Sequence, residues 1–179
     1  MRRLSLILPL AAALLTAGCA SMSEEECRQA NWYQQGMREA LDGHSKNRLQ
    51  EDREACAKVG VVPNVAQYMD GYDKGIRQFC TPENGARWGR AGKYYQNSCP
   101  ADLDAAFRDR YQAGKAAYDA ENRLNNLRNQ QTDKQRKLDQ SKDDKQRKQL
   151  RDELDSLDRQ LRNARYDLDR AERRLMTGY

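Results

Sequence analysis

The chain has 179 residues, a third of them charged, with 32 Lys+Arg against 27 Asp+Glu and a formal net charge of +5. Only two Trp and two Phe are present, which excludes a large core and favours long exposed helices. A single histidine, with no Gly-rich phosphate loop, zinc spacing or Gly-x-Ser-x-Gly motif, leaves no enzyme signature.

Arg2 and Arg3 precede an apolar run of 14 residues from Leu4 to Ala17. A spanning helix needs about 20. A basic start, a short apolar core and small residues at its end predict a secretory signal over residues 1–18. The run ends Leu15-Thr16-Ala17-Gly18-Cys19. This resembles the lipobox of bacterial lipoproteins, with Thr16 where leucine is commoner. The resemblance implies cleavage before Cys19, diacylglycerol on its thiol, and an acyl chain such as palmitate on the new amine. Two or more chains anchor stably where one holds only marginally. Ala20 and Ser21 replace the aspartate that retains such proteins at the inner membrane. The expected place is therefore the outer membrane, facing the periplasm.

Without the signal and its two arginines, the charge is +3. Four cysteines remain beyond Cys19: Cys27, Cys56, Cys80 and Cys99. An even set in an exported chain predicts two disulfides. A zinc site is the rival, but no two cysteines have a paired-ligand spacing and His44 stands alone. No metal and no cofactor is expected.

In chain order, Ser23 followed by Glu24, Glu25 and Glu26 predicts a helix start, and Gly43 ends that helix. Ser45 starts a second helix to about Lys58, and Gly60 and Pro63 break the chain. Asn64 caps a third helix reaching Cys80. Thr81-Pro82-Glu83-Asn84-Gly85 reads as a turn, and residues 81–100 as an irregular loop held by a disulfide. Asp102 is expected to cap the long helical half. Four cysteines allow three connectivities. If 24–42 and 45–58 pack antiparallel around Gly43, Cys27 falls level with Cys56, and Cys80 and Cys99 close the loop between them.

Tyr33-Gln34-Gln35-Gly36, Tyr68-Met69-Asp70-Gly71 and Tyr111-Gln112-Ala113-Gly114 share a tyrosine and a glycine three apart. The structural reading is close packing, which would offset the cost of glycine inside a helix, up to about 1 kcal/mol. The functional reading is a sugar or peptide site lined by Trp32, Tyr33, Tyr68, Trp88, Tyr94 and Tyr95. Packing is the better account of amphipathic aromatics in so small a domain.

Six short motifs follow one another over residues 27 to about 118: Cys27 ahead of Trp32-Tyr33-x-x-Gly36; Ala55-Cys56-Ala57 before Gly60-Val61-Val62-Pro63; Tyr68-x-x-Gly71-x-x-x-Gly75; Phe79-Cys80-Thr81-Pro82-Glu83-Asn84-Gly85; Gly89-x-x-Gly92-x-x-Tyr95; and Ser98-Cys99-Pro100. The set resembles a family of bacterial lipoproteins, domain of unknown function 2799. The resemblance implies an envelope lipoprotein with a cysteine-stabilised fold, and no mechanism.

Between Lys115 and Thr177 there is no Gly and no Pro, so this stretch is helical almost by elimination. Leu150, Leu154, Leu157, Leu161, Ala164, Leu168, Ala171 and Leu175 alternate spacings of four and three, a coiled-coil seam. Tyr111, Gly114, Tyr118, Leu124, Leu127 and Leu138 form a second stripe out of phase with it. An antiparallel hairpin turning near residue 140 accommodates the break. It places Leu127 beside Leu154, Leu124 beside Leu157, and Tyr118 near Leu161 or Ala164. The alternative, one continuous helix, would need a partner chain.

Residues 134–151 hold eight cations, Lys134, Arg136, Lys137, Lys142, Lys145, Arg147, Lys148 and Arg151, against three aspartates. This is the hairpin tip. Such a run is a solvated helix end or a contact with an anionic envelope polymer. The expected class is all-α: a small disulfide-stabilised domain over 19–100, then a coiled-coil hairpin over 101–179. The expected role is structural or interactive, with no catalysis: a lipid-anchored protein meeting peptidoglycan or an envelope protein, and no nucleic acid. The alternative is a periplasmic binding module for a small sugar or peptide.

Overall fold

The computed structural model describes residues 21–177, and every regular element among them is helical. Seven helices follow in order: α1 (Glu24–Arg28), α2 (Trp32–Leu41), α3 (Arg48–Ala57), α4 (Val65–Phe79), α5 (Pro82–Arg90), α6 (Ala101–Gln140) and α7 (Asp144–Thr177).

Local chemistry sets their ends. Ser23 and Glu26 form a reciprocal cap at α1: the Glu26 N–H donates to Ser23 Oγ at 3.3 Å and the Ser23 N–H to Glu26 Oε2 at 2.7 Å. The expected single helix to Gly43 is in fact two, because Asn31 caps a new start by accepting from the Gln34 N–H at 3.0 Å. Ser45 does not cap α3; residues 45–48 make a tight turn and the helix begins at Arg48. Asn64 caps α4 as expected.

Residues 81–100 are not all loop. Thr81 caps α5 and Pro82 occupies its first turn, where a missing N–H costs nothing and a fixed φ helps. The same Thr-Pro pair serves a turn or a helix start, and here it starts a helix. Asp102 does not cap α6 either. It lies inside the first turn and receives Arg77 Nη1 at 3.0 Å, while Pro100 stands at the cap.

The disulfide domain contains one arrangement twice. In α2 and α4, a methyl added to Gly36 would collide with the Tyr68 carbonyl oxygen, and one on Gly71 with that of Tyr33. In α5 and α6, Gly89 meets the Tyr111 oxygen and Gly114 that of Ala86. In all four cases the struck residue lies three before the partner glycine. Backbones this close need glycine and allow Cα–H···O contacts. Each pair is parallel: Gly36 faces Tyr68–Tyr72, and further along both helices Gly75 faces Met37 and Ala40. Each pair is also stapled ahead of its helices, the first by Cys27–Cys56, which joins α1 to α3, and the second by Cys80–Cys99, directly before α5 and α6, with Cα–Cα distances of 5.3 and 5.7 Å. The bridges span 29 and 19 residues, since α3 fills the first gap and a short loop the second. Phe79 joins the halves, its ring 5.0 Å from Trp88 and 5.1 Å from Phe107.

Helices α6 and α7 form the antiparallel hairpin. Its turn, 141–143, has no Gly or Pro, and Arg147 compensates by donating to the carbonyls of Leu138 at 3.0 Å and Ser141 at 2.9 Å. These are carbonyls a helix end leaves unpaired. Gln131 bonds to Asp158 at 2.6 Å, Lys134 pairs with Glu153, and Arg123 lies 3.7 Å from Asp167. Leu127 is thus level with Leu161 and Leu124 with Ala164, about two turns along from the expected Leu154 and Leu157. The turn is centred on Lys142, later than expected, which accounts for part of the shift. Tyr118 packs its ring on Gly92 rather than on the seam. Leu124, Leu127, Leu157, Leu161 and Ala164 are the buried seam.

Candidate functional site

The six aromatic residues expected to line a ligand site do not come together. Tyr68 is fully buried, and its hydroxyl donates to Glu39 Oε2 at 2.6 Å. Tyr95 is buried in the other half, and its hydroxyl joins Asp104 and accepts from the Cys99 N–H. Trp32 is buried and Tyr33 half-buried on α2. Trp88 is half-buried against Phe79 and donates its Nε1 to the Tyr94 carbonyl at 3.1 Å. Tyr94 points outward, 78% exposed. These rings are core and rim of two separate helix pairs.

A cleft of about 380 Å³ opens instead where the halves meet. Ser45, Lys46, Asp73, Arg77, Asn97 and Ser98 line it, over the buried Tyr72 and Ile76. Lys46 lies 3.5 Å from Asp73, and the Ser98 hydroxyl is buried without a partner among the described residues. Asn97 sits at φ 54°, a conformation asparagine tolerates. The Ser45 N–H bonds to Gln96 Oε1 at 3.1 Å across the rim.

Sequence reasoning also missed a buried carboxyl pair. Glu39 on α2 is 4% exposed and Asp52 on α3 is 0%. Glu39 accepts from Gln35 Nε2 and Tyr68 Oη, both at 2.6 Å, and Arg48 Nε lies 3.7 Å away. Among the described residues, neither oxygen of Asp52 has a donor. Burial, with Asp52 adding to it, pushes the Glu39 carboxyl up to about 7, against the pull of the Tyr68 and Gln35 bonds. A proton on Glu39 supplies the donor that Asp52 lacks. A sequence signal existed: Glu39 lies three residues after Gly36 on the packed face of α2, and Asp52 one turn before Cys56.

At the hairpin tip the eight cations divide. Lys134 pairs with Glu153, Arg136 with Asp133, and Arg147 closes the turn. Lys137, Lys142, Lys145, Lys148 and Arg151 are exposed and form no ion pair among the described residues. Asp143 is engaged as a cap, accepting from the Gln146 N–H at 2.7 Å.

Residues 31–116 match the family model described as Protein of unknown function (DUF2799). This segment is a DUF2799 domain. The DUF2799 match runs from the Asn31 cap of α2 to just past Gly114, so it contains both glycine crossings. It leaves out α1 with Cys27, and it leaves out most of the hairpin. No curated protein and no solved structure matches the chain. Cys19 and the signal residues lie outside the described residues. Among those described, no three His, Cys, Asp or Glu side chains form a metal-binding group, and no helix is long and apolar enough to cross a membrane.

Proposed function

We propose that the protein is an envelope lipoprotein with a structural or interaction role. Lipid on Cys19 holds it to the outer membrane, the DUF2799 domain is a rigid base, and the hairpin offers its basic tip to an anionic periplasmic partner. Peptidoglycan, or an anionic face of an envelope protein, has the matching charge. The observation that carries this reading is the set of five exposed, unpaired cations at the end of a helix about 60 Å long. Over residues 134–151 eight cations face three aspartates, so positive charge is in excess at the tip.

Metabolic labelling with a tagged fatty acid tests the anchor. Wild type should take the label and Cys19→Ser should not; undiminished label on the variant rejects a lipid on Cys19. Mature protein should also sediment with purified peptidoglycan sacculi at low salt. The second reading, a binding module for a small sugar or peptide, draws support from the cleft beside Lys46 and Ser98 rather than from the aromatic residues. Saturable binding of such a ligand, with no retention on sacculi, favours it over the first.

A further inference from the structure

Resting on the lipid-anchor reading of Cys19, we infer that the Cys27–Cys56 end of the base is held directly on the bilayer, with Val62 and Val65 touching lipid. The tether is very short. Met22 already belongs to the core: it is 4% exposed and its Sδ lies 3.9 Å from Cys56 Sγ. Ser23 caps α1 immediately after it. Only Ala20 and Ser21 stand between Cys19 and Met22. Three Cα steps reach at most about 11 Å, so the lipidated residue cannot be far from Cys56.

Just beyond Cys56 the chain exposes two large apolar residues. The Val61 N–H bonds to the Cys56 carbonyl at 3.1 Å. Val62 follows, 79% exposed, and Val65 at the start of α4 is 42% exposed. Leu41, also exposed, ends α2 and so lies at the opposite end of that parallel pair. Charge at the anchor end is nearly balanced. Glu24 lies 3.7 Å from Arg28, Glu25 bonds to Gln29, Glu26 closes the cap of Ser23, and Lys58 is exposed. The contact is therefore apolar and indifferent to salt, unlike one made by the tip.

Photo-crosslinking tests this in lipidated full-length protein. Benzoylphenylalanine is placed in turn at positions 62, 94 and 166, all highly exposed sites in the folded chain, and the protein is irradiated in its membrane. Lipid adducts are expected at 62 and only background at 94 and 166. A further variant carries ten Gly/Ser residues between Ala20 and Ser21, adding a reach of about 17 Å. It should keep its fatty-acid label and lose the adduct at 62. With label present on Cys19, background adducts at 62, or an adduct at 62 that survives the insertion, overturn the inference. An unlabelled Cys19 instead rejects the anchor reading, and the inference falls with it.

Discussion

Gly36 and Gly71 cross so closely that each sits against the carbonyl oxygen three residues before the other, and Gly89 and Gly114 repeat that geometry in the second half. An added Cβ at any of the four strikes backbone, which cannot rotate away. Gly71→Ala and Gly114→Ala should each destabilise the protein by about 1–3 kcal/mol, the usual cost of overpacking, despite alanine's better helix propensity. Urea unfolding checks this. Gly60→Ala, where only a φ of 70° opposes the change and no atom lies near, should cost less.

The buried carboxyl pair makes stability depend on pH. Glu39 is raised from 4.5 to about 7 in the folded chain, so between those values the folded state holds the extra proton. Its contribution is fully present below pH 4.5 and is lost as pH rises through 7. Up to about 3 kcal/mol is at stake. Thermal unfolding at pH 5, 6, 7 and 8 should show the fall. Asp52→Asn removes the neighbouring charge and supplies a donor, so it should flatten the profile; an unchanged slope would rule out this pair as its source.

The two bridges should prove separable. Cys27→Ser with Cys56→Ser, or Cys80→Ser with Cys99→Ser, should each cost about 2–5 kcal/mol. The first pair alone holds α1, which has few other contacts. Hydrogen exchange over residues 22–30 should rise in that variant while α5 and α6 stay protected. Non-reducing peptide mapping of the wild type should return Cys27–Cys56 and Cys80–Cys99; any other pairing contradicts the stapled-pair architecture.

Arg147 should matter more than a surface arginine usually does, because it satisfies two carbonyls of a turn lacking Gly and Pro. Arg147→Ala should speed hydrogen exchange near residues 138–146 and cost about 1–2 kcal/mol, typical for lost bonds from a charged donor. Arg162→Ala, on an exposed stretch of α7, should stay within about 0.5 kcal/mol.

Much of this fold was legible because the signals are local. The Asn64 cap, the Gly43 stop and the two-stripe break that forces a hairpin all lie within a few residues of what they determine. Thr81-Pro82 misled because one dipeptide serves both a turn and a helix start, and only packing of Gly85 and Gly89 on α6 decides between them. The duplication was half visible. Three Tyr-x-x-Gly motifs stand out, but the fourth arm carries Ala86 in place of tyrosine. Tyr68 and Tyr95, read as candidate ligand contacts, turned out to be core, and their hydroxyls find carboxylate partners: Tyr68 in Glu39, and Tyr95 in Asp104. The cleft was illegible because residues 45–46 and 97–98 meet only through tertiary structure.

Co-sedimentation with purified sacculi tests the central claim most directly. Wild-type mature protein is compared with a variant carrying Lys142→Gln, Lys145→Gln, Lys148→Gln and Arg151→Gln, at low and high salt. Gln preserves the helix, and none of the four makes an ion pair among the described residues. Wild type should pellet at low salt and be released at high salt, because exposed charges are screened over about 8–10 Å; the variant should stay in solution at both, with unchanged circular dichroism. Wild type that remains in solution at low salt, or a variant that pellets equally well, contradicts a basic tip that meets the wall.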